Sequence, residues 1–140
     1  MAAIKRDKFD ILFSNIIREA SDYVCSRCQR SYRDNPGGLH CSHYVGRAHK
    51  ATRWHPDNAV AHCYGCHSYF EQRPNEFYRW YCQKFGEGRE QIITDLGRSI
   101  RKWKKWEKDE LYEAMKQEMK RLRELRASGV VGPVEIANYC

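Results

Sequence analysis

Two Cys-x-x-Cys pairs, Cys25–Cys28 and Cys63–Cys66, restrict what this chain can fold into more than any other feature. A two-residue gap lets both sulfurs of a pair reach one metal, and two such pairs are the usual ligand set of a tetrahedral structural zinc. The segments carrying them must then meet in space, whatever lies between. A length of 140 residues bounds the chain to one domain with a modest core, of the size that a metal often completes. The N-terminal run MAAIKRDKFDILF breaks its apolar positions with charges, so it does not read as an export signal. Seven cysteines in such a chain point to the cytoplasm, where cysteine pairs bind metal more often than they cross-link. Cys63-Tyr-Gly-Cys66-His67 also has the form of a c-type haem attachment site, but that reading needs export and leaves Cys25 and Cys28 unexplained. Cys41, Cys82 and Cys140 are left over as small buried or incidental thiols. No apolar run reaches the length of a membrane span.

Residues 5–20 read as a helix, with Phe9, Leu12, Phe13, Ile16 and Ile17 at helical spacing. Asp34-Asn-Pro-Gly-Gly38 is a loop. Leu39 to Val45 reads as a strand whose alternation puts Cys41 and His43 on one face and His40 and Ser42 on the other. A basic, irregular stretch follows to Asp57, and Asn58 to His62 fits a second strand. A helix begins near the second knuckle and stops at Arg73-Pro74. Asn75 caps another, which carries Phe77, Trp80, Tyr81 and Phe85. Residues 89–127 form one or two amphipathic helices with stripes at Ile92, Leu96, Ile100, Trp103 and at Leu111, Met115, Met119, Leu122, Leu125. The last residues read as loosely ordered.

Between the knuckles lie His40, His43 and Asn58, and His67 closes the segment. A plain zinc ribbon has no use for them. Phosphodiester cleavage needs an activated water, neutralised charge on the phosphorus oxygens and help for the leaving oxygen. One neutral imidazole supplies the first, and one divalent cation the other two. Singly, each residue has a bland alternative: a lone histidine is usually a surface or core residue, and an asparagine before a strand usually forms a turn. Within two zinc knuckles they read as a site.

The order Cys-x2-Cys, His-x2-His, Asn, Cys-x2-Cys-His resembles that of HNH (ββα-metal) endonucleases carrying a structural zinc. Leu39-His-Cys-Ser-His43-Tyr44 and Arg53-Trp-His-Pro-Asp-Asn58 resemble phage recombination nucleases of the NinG (Rap) type, and the order is similar to phage endonuclease VII. The resemblance covers residues 20–85. It implies an α+β fold with a small zinc-stapled ββα-metal, treble-clef-like core and flanking helices. It also implies hydrolysis of DNA to 5′-phosphate and 3′-hydroxyl ends with Mg²⁺ or Mn²⁺. His43 would be the general base, Asn58 the brace of the hairpin, and His67 a metal ligand. His40 matches a histidine three residues before the base in the resolvase-like branch. Many HNH enzymes carry Asp or His where this chain has Ser42, a poor Mg²⁺ ligand. His40 or Glu71, one turn after His67, then becomes the alternative second ligand. A phage setting implies the cytoplasm of a bacterial host. His49, His55 and His62 have no place in the pattern and read as solvent or packing residues.

The domain plan is an N-terminal helix (1–22), a nuclease core (23–86) and a helical arm with a loose tail (87–140). A surplus of 25 Lys and Arg over 18 Asp and Glu, net charge +7, favours a polyanionic partner. Arg47, Lys50 and Arg53 in the loop, and Lys102, Lys104 and Lys105 in Arg101-Lys-Trp-Lys-Lys-Trp106, are the candidate DNA contacts, with branched DNA favoured. A solvated loop and inward-packed tryptophans are the bland alternatives. The stripes on the long helices also allow a homodimer. The competing function is a non-catalytic zinc module that binds DNA or a protein.

Overall fold

A two-stranded antiparallel hairpin lies between helices, giving the α+β class expected from the sequence. The computed structural model describes residues 4–140; residues 1–3, which begin the segment read as lacking an export signal, lie outside the described residues. Helix α1 spans Lys8–Ala20, later than the apolar spacing alone suggests. Asp7 sets the start. Its carboxylate accepts the N–H groups of Phe9 and Asp10, both at 3.0 Å, while Asp10 accepts the Asp7 N–H at 2.9 Å.

Strands β1 (Leu39–His43) and β2 (Ala59–Cys63) pair in the register Leu39↔Cys63, His40↔His62, Cys41↔Ala61, Ser42↔Val60 and His43↔Ala59. The first strand stops at His43 and does not reach Val45. The Asn58 side chain takes both the N–H and the C=O of Val45, so these groups are withdrawn from the ladder. Helix α2 (Tyr64–Glu71) follows β2 directly, with Cys63 as its N-cap. Helix α3 spans Pro74–Phe85 with Arg73 as N-cap, ahead of the expected Asn75. Gly86, at φ 94°, turns the chain into α4 (Glu87–Arg98). Residues 99–104 separate α4 from α5 (Lys105–Ala127), so residues 89–127 are two helices and not one.

One hairpin face packs Leu39, Ala59, Ala61 and Cys63 against Phe9, Phe13, Ile16 and Ile17 of α1. Behind α1 lies α5, whose stripe Leu111, Met115, Met119 and Leu122 is buried within the same cluster. Each such side chain contributes about 1.5–3 kcal/mol on full burial. The α5 stripe is therefore core packing inside the chain, and residues 105–127 belong to the fold and are not a separate arm. The opposite face carries Val60, packed with Phe70 of α2 and Phe77 of α3. The tail, expected to be loose, lies along the core in extended form. Val134, Ile136 and Tyr139 pack inward, the Val134 N–H donates to Ala20 O at 2.8 Å, and the Tyr139 hydroxyl donates to Trp54 O at 2.7 Å. No described helix is long and apolar enough to cross a membrane.

Candidate metal centre and histidine-lined groove

Cys25 and Cys28 lie in the turn after α1, Cys63 ends β2, and Cys66 sits in the first turn of α2. The Ser26 N–H donates to Ala61 O at 2.8 Å and ties the first knuckle to β2. All four sulfurs lie within 4.8 Å of one another, a cluster that can hold a metal ion. Cys28 Sγ and Cys63 Sγ are 3.8 Å apart. That is the edge of a tetrahedron with metal–sulfur bonds of about 2.3 Å, so the donor set and its spacing fit a structural zinc. Arg27 donates toward Cys66 Sγ at 3.6 Å and stacks over the Tyr69 ring at 4.1 Å, placing a fixed cation beside the thiolate charge.

A groove of about 1170 Å³ runs along the unpaired edge of β1; His40, Ser42, His43, Arg47, His67 and Glu71 are among its lining residues. Because β1 has only β2 beside it, side chains from both of its faces reach this one opening.

His43 ends β1 on the α1 side, with its ring 5.6 Å from that of Phe13. Its Nε2 lies 3.1 Å from Arg53 O. A carbonyl only accepts, so Nε2 carries the hydrogen and Nδ1 keeps its lone pair. Burial pushes the His43 pKa down to about 4, against the upward pull of the Arg53 carbonyl, so the ring is neutral at physiological pH. Asn58 is fully buried. Its Oδ1 accepts the Val45 N–H at 2.7 Å, and its Nδ2 donates to Val45 O at 2.9 Å and Thr52 O at 3.0 Å. It fastens both ends of the loop that leaves His43 and returns the Arg53 carbonyl to it.

On the other face, His40 Nδ1 and His67 Nδ1 are 3.1 Å apart, and the rings meet edge to face. Burial, and after it the neighbouring His67, lower the His40 pKa. His67 Nε2 lies 3.2 Å from Glu71 Oε1. Glu71 thus holds the nitrogen of His67 that faces away from His40. That contact fixes the orientation of the imidazole. Ser42 is buried and its Oγ has no partner. Two nitrogens 3.1 Å apart suit adjacent ligands of one cation, whose separation is about 3 Å for bonds of about 2.1 Å. Among the described residues, the four cysteines are the sole group of three or more metal-type ligands that converge, so the histidine pair offers two.

Of the six basic residues chosen from sequence, only Arg47 lines the groove. Arg53 is bound by Asp10 through Nε at 3.0 Å and Nη2 at 2.5 Å, and Arg47 lies 3.6 Å from the same carboxylate. Both also donate to backbone carbonyls at the N-terminus, Arg47 to Ile4 and Arg53 to Lys5, so they anchor the loop to α1. Lys50, Lys102, Lys104 and Lys105 are exposed away from the groove, and Lys105 pairs with Asp109. Trp103 turns inward: its Nε1 donates to Lys50 O at 3.1 Å and its ring lies 6.0 Å from that of Trp54. His49 is bonded to Gly97 O, His55 caps the Pro56–Asn58 turn, and His62 is buried among Phe70, Phe77 and Trp80.

The sequence reading missed Arg6, Asp10, Ser14 and Arg18, which line the α1 wall of the groove. They fall at every fourth residue, a polar stripe beside the apolar one, and that spacing was the available signal. No family model, curated protein or solved structure matches the chain.

Proposed function

We propose that the chain is a divalent-metal-dependent DNA endonuclease of the HNH type, with a treble-clef-like zinc staple beneath a ββα-metal site. The observation that carries this reading is the convergence on one groove of a neutral, braced His43 and the His40–His67 pair. Packing alone needs no such arrangement. His43 donates Nε2–H to the Arg53 carbonyl, which fixes the ring and leaves Nδ1 to take a proton from an attacking water. Asn58 holds the loop that supplies that carbonyl. His40 and His67 would hold the cation, with Glu71 orienting His67. A divalent cation there neutralises charge on the phosphorus oxygens and stabilises the leaving oxygen. With Ser42 contributing no carboxylate, two imidazoles form the protein's share of the ligands. A site on a strand edge reads backbone geometry and not base edges, which favours branched DNA over plain duplex.

The deciding experiment is cleavage of labelled linear, flapped and four-way DNA of one sequence with Mg²⁺ or Mn²⁺, comparing native protein with His43→Ala. The expected result is a rate lower by roughly 10²–10⁴ for the variant, with folding and DNA affinity retained. Normal cleavage by the variant removes His43 from the role of base. No cleavage by the native protein with either metal leaves the non-catalytic zinc module, for which Ser42, in place of a carboxylate ligand, is the best argument.

A further inference from the structure

The arginines around the groove fall into two kinds. Arg47 and Arg53 are paired with carboxylates, both with the buried Asp10 and Arg53 also with Asp7. Arg6, just before α1, and Arg18, near its C-terminal end, pair with no carboxylate among the described residues. Instead both converge on one neutral oxygen: Arg6 Nη2 donates to Ser14 Oγ at 2.8 Å and Arg18 Nη2 at 3.2 Å. Arg18 makes its remaining bonds to the Asn15 side chain at 2.8 Å and to Leu39 O at 3.2 Å, again neutral acceptors. Ser14 gives its own hydrogen to Ile11 O, so both guanidiniums share its lone pairs. Two like charges drawn to one hydroxyl, with no counter-charge, repel each other unless an anion joins them. Arg6 uses a single acceptor among the described residues, so most of its donors are unassigned. Both side chains line the groove that holds His40, His43 and His67.

We infer that Arg6 and Arg18 form a phosphate-binding subsite along α1 and the residues that lead into it, which grips a nucleic-acid backbone phosphate next to the one that is cut. This rests on the nuclease reading for the identity of the anion as a DNA phosphate. The guanidinium fork suits that ligand, since it donates two parallel bonds to two oxygens of one phosphate. The subsite makes α1 part of the DNA-binding surface. It fixes which stretch of backbone lies across the β1 edge, a positioning task and not a chemical one.

The test is fluorescence anisotropy of labelled four-way and linear DNA with zinc-loaded, full-length protein and no added Mg²⁺ or Mn²⁺, over a series of salt concentrations. Arg6→Gln and Arg18→Gln should each weaken binding about 3- to 10-fold and lower the slope of log K against log salt by about 1. Arg18→Lys should restore the slope, because a point charge still meets a phosphate. Arg6 is exposed, so Arg6→Gln should leave the unfolding midpoint in place and the binding result interpretable. Affinity and slope unchanged in both glutamine variants overturn the subsite, as does a native protein that does not bind DNA. Native protein that binds with the expected slopes but never cleaves keeps the subsite and removes the nuclease. Native protein that cleaves, with variants indistinguishable in slope, does the reverse.

Discussion

The two faces of the hairpin, whose strands have five residues each, are built to opposite rules. On the α1 face, Leu39, Ala59, Ala61 and Cys63 are buried in a continuous apolar cluster, and the one imidazole there, His43, has a backbone partner. The α2 face carries His40, Ser42, Val60 and His62. There Ser42 Oγ and both ring nitrogens of His62 are buried without a partner. Each such atom costs about 1–3 kcal/mol against a paired or apolar alternative. Buried polar atoms without partners are rare enough to need a reason beyond packing. One face holds the hairpin together, and the other tolerates strain around the histidine pair.

The largest effect tests whether these faces are separable. The four cysteines bring the turn after α1 to the junction of β2 and α2, so a metal held there would tie the start of α2 to the end of α1. Native protein should contain one zinc per chain, and chelation should abolish amide protection in α2 while residues of α1 and α5 keep more of theirs. Metal analysis without zinc would end the staple reading. Protection lost equally from both faces would show that they fold as one unit.

A smaller effect is expected at the buttress of the α1 face. Asp10 is buried and takes Arg53, Arg47 and the Trp54 indole N–H. Burial alone would raise its pKa, but the Arg53 guanidinium and the backbone and indole N–H groups hold it well below the usual carboxylate range. Asp10→Asn removes the charge and leaves the largely buried guanidinium of Arg53 with only the more distant carboxylate of Asp7, at 4.0 Å. A loss of about 3 kcal/mol in denaturant unfolding is expected. Because the Arg53 carbonyl positions His43, cleavage should fall as well, with KM less affected than kcat. A variant as stable as the native protein would mean that the α1 face does not depend on its charge pair.

How much of this was legible in the sequence follows the same division. The knuckle spacing and the strand alternation put the cysteines in one cluster and His40 and His43 on opposite faces, because both depend only on local geometry. Asn58 was legible as a brace, though not that it would end β1 two residues early by taking both polar groups of Val45. What stayed hidden depends on packing between distant segments. Arg53 looks like any loop cation until α1 brings Asp10 to it across 43 residues of sequence. The stripe of α5 fits a dimer seam equally well until α1 is seen to cover it. The loose composition of the tail gave no hint that Tyr139 would reach Trp54.

The smallest effect is the sharpest test of the α2 face, because it asks whether an unpartnered group there is tolerated or needed. His62 is fully buried among Phe70, Phe77 and Trp80, opposite His40 in the register, and neither of its nitrogens is bonded. Burial, then the charges of His67, Arg27 and Lys84, push its pKa from 6.5 to about 3. Between these values the unfolded chain holds a proton at His62 that the folded chain refuses, so stability falls as pH drops through that window. His43, lowered to about 4, adds to the same trend. His62→Leu removes one share of it. The variant should be more stable than the native protein by about 1 kcal/mol at pH 7.5, where only the unpaired nitrogens are relieved. The gain should grow at pH 5, where the native protein also bears the proton mismatch. Cleavage should be nearly unchanged, since His62 does not line the groove. A loss of stability at both pH values would mean that His62 has a partner in solution, and the contrast between the two faces would then rest on Ser42 alone.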